Sequence, residues 1–167
     1  AQTLNQASSG LIVVGALKSR GEAGAIAKLS EKLGWPIFAD IRSGPRMSGD
    51  SENVVNYFDQ LLLSERFRKL SVPAVVHFGS VMTSKRYNEW TAQAGIRSYI
   101  HVADHPFRHD PNNVVTDKIE ADITGFCEQL LKLIESNARD DRPASLKKAD
   151  EAAGKIIDEY VKGENHL

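Results

Sequence analysis

The run Gly10-Leu-Ile-Val-Val-Gly15 constrains this chain more than any other feature, because it offers water no polar face. A strand with one solvated side alternates apolar and polar residues. A continuous β-branched run bounded by glycines suits a strand covered on both sides, as in the centre of a parallel sheet. Parallel neighbours need crossover connections, usually helical, and the next residues supply one. Glu22, Ala23, Ile26, Ala27, Leu29 and Leu33 recur at helical spacing and stop at Gly34. Trp35-Pro-Ile-Phe-Ala-Asp40 then reads as a second strand, with proline at its start where a missing N–H is tolerated.

The alternation continues. Asp40 to Ser51 is a loop of glycine, proline and serine. Val54, Val55, Phe58, Leu61 and Leu62 follow at helical spacing, with Asp50 or Ser51 as the cap. Ser64 to Leu70 predicts a second short helix and Pro73-Ala-Val-Val-His-Phe78 a third strand. A helix over Lys85–Trp90, ended by Gly95, leads to a strand over Arg97–Val102. Val114 to Ile119 reads as a short edge strand, and Ile123, Phe126, Leu130, Leu131 and Ile134 as the last core helix. Ala1 to Ser9 reads as a linker or connecting turn, and charged Asn137 to Ala144, with Pro143, as a linker. Leu146, Ala149, Ala153, Ile156, Ile157 and Tyr160 then form a sparse helical stripe, which could dock here or lead into another domain. The expected fold is α/β: an open, mostly parallel sheet of five or six strands with helices on both faces. Residues 1–138 form the α/β domain, and 139–167 the linker and C-terminal helix.

The 167 residues suffice for one buried core. With 21 Lys and Arg against 22 Asp and Glu, there is no electrostatic case for nucleic acid or an anionic membrane. Cys127 is the only cysteine, so no disulfide frame or thiolate metal site exists. No apolar run reaches membrane length and no signal-peptide pattern opens the chain, so a reducing, cytoplasmic setting is expected. Neither end carries a clear stop signal, which reads as a piece of a longer polypeptide.

Open parallel sheets bind ligands beyond the carboxyl ends of their strands. Gly15-Ala-Leu-Lys-Ser-Arg-Gly21 lies at one such end but lacks the tight G-x-G-x-x-G turn that brings backbone against a pyrophosphate. Gly79-Ser-Val-Met-Thr-Ser-Lys-Arg86 is not a P-loop, because its second glycine is missing and lysine follows serine. His101, His105 and His109 recur every four residues, but Pro106 and Pro111 make the segment a loop, so scattered surface histidines are favoured over a zinc site. His77, inside an apolar strand, reads as a hydrogen-bonded core histidine. There is no G-x-S-x-G elbow and Cys127 sits on a buried-looking helix face, so no catalytic residue is assigned.

One stretch stands out. Thr83 or Ser84 occupies a helix N-cap position, and Lys85 and Arg86 follow in the first turn, where cations oppose the helix dipole. Beside unpaired backbone N–H groups such a pair suits an anion, although two solvated surface charges would look the same. Arg42 and Arg46 could join them around one carboxylate, since guanidinium groups hold carboxylates in two-point contact. The alternative is that Asp40 ties down its own loop arginines.

Leu33-Gly-Trp-Pro-Ile-Phe-Ala-Asp-Ile-Arg-Ser-Gly-Pro-Arg46 and Val76-His-Phe-Gly-Ser-Val-Met-Thr-Ser-Lys-Arg-Tyr-Asn-Glu-Trp90 resemble the central domain of the MenD family. These are the 2-succinyl-5-enolpyruvyl-6-hydroxy-3-cyclohexene-1-carboxylate synthases of menaquinone and phylloquinone synthesis. Arg108-His-Asp-Pro111 resembles the family's segment after the next strand, and the match spans about Gly10 to Ile134. The resemblance implies a three-domain, homo-oligomeric parent, dimer or tetramer, with this domain between a pyrimidine-binding and a pyrophosphate-binding domain. It implies decarboxylation of 2-oxoglutarate on thiamine diphosphate and addition of the succinic-semialdehyde carbanion to isochorismate. A divalent magnesium or manganese ion would hold the diphosphate. Lys85 and Arg86 match the family's basic pair, and Ser84 and Arg46 join them as substrate-binding residues. The cofactor-activating glutamate and the metal–diphosphate motif belong to the other two domains, so this segment alone is expected to bind no cofactor and to be inactive. A bacterial cytoplasm or, in a plant, a plastid would house the parent. Rival readings are a nucleotide- or carboxylate-binding central domain of another thiamine-diphosphate enzyme, and a free-standing regulatory module binding a quinone-pathway carboxylate through Arg42, Arg46 or Arg97.

Overall fold

The computed structural model describes residues 1–46, 51–108, 110–135 and 142–164. Strand β1 (Gly10–Val14) is buried at every position, as its composition demands. It lies between β2 (Ile37–Ala39) and β4 (Ala74–Phe78), which pair with it in parallel register, Val13 opposite Phe38 and His77. Beyond β2 comes β3 (Val54–Val55). Beyond β4 come β5 (Ser98–Ala103) and β6 (Asp117–Glu120), so the order is β3-β2-β1-β4-β5-β6. All five pairings are parallel, a stricter arrangement than the mostly parallel sheet expected.

The two faces carry separate cores. One packs Ile12, Val14, Val76, Phe78 and Val102 against α2 (Arg20–Leu33) and α6 (Ile123–Leu133). Helix α2 starts where Ser19 and Glu22 form a reciprocal capping box, an arrangement typically worth about 1 kcal/mol. The other face packs Leu11, Val13, Val75 and Tyr99 under α3 (Phe58–Leu61), α4 (Glu65–Arg68) and α5 (Lys85–Thr91). Phe38 and Phe58 stack there with ring centroids 5.0 Å apart, and Tyr87 meets Phe58 edge-on. Trp90 completes the layer and donates from Nε1 to the Leu70 carbonyl.

Several expectations need correction. The opening residues are not only a linker: Gln2–Gln6 form α1, anchored by buried Leu4 and by Asn5, which bonds the backbone of Leu133 and Glu135. A single apolar residue in five leaves no periodicity to read. Val54 and Val55 belong to β3, pairing with Ile37 and Phe38, and not to a helix. Their side chains enter opposite cores, as successive strand residues must. The helix begins only at Phe58. The proposed cap Asp50 lies outside the described residues, as do residues 137–141 of the expected linker; residues 142–144 already belong to α7 (Arg142–Glu164).

Helix α7 docks its first half on the second core through Leu146, Ala149 and Ala153. Buried Asp150 accepts the Tyr57 N–H at 2.6 Å. Further along, Ile156 and Tyr160 are exposed. Among the described residues, no helix is long and apolar enough to cross a membrane.

Candidate functional site

The connection from β4 to α5 is held from below by two stacked imidazoles, His77 and His101, with centroids 4.6 Å apart. His77 Nε2 donates to the Ser80 carbonyl and His101 Nε2 to the Gly79 carbonyl, each at 2.8 Å. Because a carbonyl only accepts, both rings carry a proton on Nε2. His77 Nδ1 is then free to accept the Tyr99 hydroxyl at 2.9 Å, and Tyr99 in turn accepts from Tyr87. Burial, followed by the neighbouring His101, pushes His77 down to about 3, so it stays neutral. It is the hydrogen-bonded core histidine its strand context suggested.

The turn these rings support is tight. Gly79 has φ +78, and a Cβ on Gly15 would stand 1.8 Å from the Ser80 carbonyl oxygen. The crevice between β1 and β4, where such sheets reverse their winding and commonly hold nucleotides, is therefore filled by the chain's own backbone. Three of its backbone donors are also engaged. Ala16 N–H bonds Ser80 Oγ, and the Lys18 and Ser19 N–H groups both bond Glu22.

The carboxyl end of β2 reaches across to this connection. Asp40 is buried and accepts the Thr83 N–H at 2.6 Å and the Thr83 hydroxyl at 2.8 Å on Oδ2. Its Oδ1 accepts the Arg42 N–H at 3.0 Å and faces Arg42 Nε at 3.5 Å. Burial pushes the Asp40 carboxyl up, but these N–H groups, the Thr83 hydroxyl and the Arg42 charge outweigh it and hold the group below the usual carboxylate range.

Ser84 is the N-cap of α5, accepting the Tyr87 N–H at 3.0 Å and donating its own proton to Asp59 Oδ1. Arg86 Nη1 donates to the other oxygen of Asp59. Lys85 projects into solvent, 88% exposed, with Glu89 at 3.5 Å beside it. Arg46, Ser84, Lys85 and Arg86 all line one open cleft of about 360 Å3, floored by Phe58 and bordered by Asp59. Three cations thus converge beyond the carboxyl ends of β2 and β4, against an Asp40 already occupied by its own partners.

The fourth cation behaves differently. Arg42 Nη2 donates to the Val81 carbonyl at 2.7 Å and reaches Ser80 Oγ at 3.4 Å, so with Asp40 it pins the turn. Arg97 lies far off, in a depression at the amino ends of the strands beside Ser71 and Ser98. Among the described residues no group of three His, Cys, Asp or Glu could hold a metal, and His109 lies outside them. Burial pushes the Cys127 thiol up to about 12, which rules it out as a nucleophile. Asp59 escaped sequence reasoning because it follows Phe58 in an amphipathic pattern, where an acid reads as solvated surface.

Similar proteins supply a context for this cleft. A family model described as the middle domain of thiamine pyrophosphate matches residues 2–165. A 2-succinyl-5-enolpyruvyl-6-hydroxy-3-cyclohexene-1-carboxylate synthase of Rubrobacter xylanophilus is 40% identical over 131 residues, covering 78% of this chain and 23% of that protein. Its counterpart in Salinibacter ruber is 32% identical, covering 83% and 24%. The chloroplastic protein PHYLLO of Arabidopsis thaliana is also 32% identical, covering 78% of this chain and 8% of its own length. The chain therefore spans a quarter or less of these relatives. An enzyme of Mycobacterium smegmatis described as thiamin diphosphate-dependent shares the fold, with a TM-score of 0.53 and 19% identity over 82% of this chain and 27% of that one.

Proposed function

The chain belongs to the family of thiamine pyrophosphate enzyme middle domains, and from that premise we propose that it is the central domain of a MenD-type synthase. The full-length protein joins 2-oxoglutarate, with loss of carbon dioxide, to isochorismate in menaquinone or phylloquinone synthesis. Thiamine diphosphate and a magnesium or manganese ion sit between the pyrimidine- and pyrophosphate-binding domains of the same protein, outside this segment, which is inactive alone. The assembled enzyme is a homo-oligomer in a bacterial cytoplasm or a plastid. The boundary between the α/β domain and the connection to the next domain falls near residue 138.

The observation that carries this reading is the convergence of Arg46, Lys85 and Arg86 on one cleft. Both substrates are carboxylates, and an exposed lysine beside two guanidinium groups is suited to binding them by charge and two-point hydrogen bonding. Ser84 acts there chiefly as the cap that holds the cationic turn, since its proton already goes to Asp59. The engaged donors after β1 count against a nucleotide-binding central domain. Steady-state kinetics of the full-length protein with 2-oxoglutarate and isochorismate test the proposal. Lys85→Ala is expected to raise the KM of at least one of them; no turnover of this pair by the unaltered protein overturns it.

A further inference from the structure

We propose that Asp59 is a positioning residue that aims Arg86 into the carboxylate cleft, an inference that rests on the substrate-binding reading of Arg86. Helix α5 has no acidic residue in its first turn, although the N-terminus of a helix favours negative charge. Asp59 supplies that charge from α3. Its two oxygens are divided between two side chains of one turn: Oδ1 takes the Ser84 hydroxyl and Oδ2 takes Arg86 Nη1. A single carboxylate thereby fixes the cap and the guanidinium as one unit.

Arg86 needs such a restraint, because it stands on the wall between two openings. On one side is the cleft with Arg46 and Lys85; on the other is a groove of about 450 Å3 between α4 and α5. That second groove carries Arg68, Lys69 with its partner Glu65, and Glu89, which faces Lys85 at 3.5 Å; Glu89 is three residues further along α5, within ordinary reach of Arg86 on a helix surface. An Arg86 released from Asp59 can compete with Lys85 for Glu89, whose present contact spans 3.5 Å. Asp59 engages only one of the five guanidinium N–H groups, which leaves donors for a substrate carboxylate.

The test uses the full-length protein and the variants Asp59→Ala, Asp59→Asn, Arg86→Ala and the Asp59→Ala/Arg86→Ala double, assayed with 2-oxoglutarate and isochorismate and followed by thermal unfolding. Asp59→Ala is expected to raise the KM of one substrate about tenfold with kcat within about twofold, and to add nothing once Arg86 is gone, since residues acting through one another are non-additive. Asp59→Asn keeps one acceptor oxygen, so only one of the two partners retains its bond in place, and falls between the two; should the alanine variant not fold, it carries the same comparison. A KM rise in Arg86→Ala with none in either Asp59 variant overturns this inference alone. An Asp59 effect of the same size with and without Arg86 also overturns it. An unchanged KM in Arg86→Ala removes the reading of Arg86 on which it rests.

Discussion

Asp40 and Thr83, separated by 43 residues of chain, are joined by two hydrogen bonds to one carboxylate oxygen. Through that contact the carboxyl end of β2 fixes the entry to α5, and with it the direction of Ser84, Lys85 and Arg86. Asp40→Ala removes the acceptor of the Thr83 N–H and hydroxyl, and although exposed Thr83 can turn to water, each such hydrogen bond is typically worth about 0.5–1.5 kcal/mol. Denaturant unfolding of this chain is expected to show a loss of that order. Asp40→Asn, which can still accept one of the bonds, loses less.

The buried imidazoles make the fold acid-sensitive well before its carboxylates titrate. His77 is held at about 3 in the folded chain, mainly by burial, against an ordinary value of 6.5. Between those values the unfolded chain binds a proton that the folded chain excludes, so stability rises with pH across this window and falls as acid is added. His101 is pushed in the same direction, again chiefly by burial. Below pH 6.5 the unfolding free energy should fall with a slope that steepens toward about 1.4 kcal/mol per pH unit for His77 alone, the limit for one excluded proton. Denaturant midpoints across that range check it, and a flat profile would mean that His77 takes up its proton without disturbing the Gly79–Ser80 turn.

Lys85 separates function from stability most cleanly. It is 88% exposed and its contact with Glu89 spans a 3.5 Å gap in solvent, so Lys85→Ala should leave the melting temperature unchanged. In the full-length protein the same variant should weaken use of a carboxylate substrate several-fold through KM. A lowered melting temperature with unaltered kinetics would make the side chain structural.

Most of the architecture was readable because burial on two faces leaves an unmistakable mark. Gly10–Val14 and Ala74–Phe78 are the central strands, and their apolar runs, broken only by His77, said so. The failures fell where an element is too short to repeat. Two valines form β3 and one leucine anchors α1, and neither segment completes a period. At the cleft, Arg46, Ser84, Lys85 and Arg86 were nameable from local pattern and family resemblance. Asp59 and the Tyr57–Asp150 contact were not, because each joins residues distant in the chain through a single acid that looks like surface charge.

Asp150 offers the last test, since it decides whether α7 is held by a charge or merely by an acceptor. Burial pushes its carboxyl above the ordinary range despite the Tyr57 and Asn56 N–H groups and the nearby Arg46 charge. A carboxyl raised on folding binds its proton more readily in the folded chain, so its contribution improves as pH falls through the folded value and is least favourable at neutral pH, where a charge is buried. Asparagine keeps an oxygen for the Tyr57 N–H and removes that charge. Asp150→Asn should therefore match or exceed the parent in stability at pH 7, whereas Asp150→Ala, which strands the Tyr57 N–H, should lose about 1–3 kcal/mol. Chemical denaturation of the three chains, with exchange of the Tyr57 amide hydrogen as the local probe, separates the cases. An asparagine variant as weak as the alanine one would mean that the attraction between Asp150 and Arg46 holds the helix, and that Arg46 is bound inward and not available to the cleft.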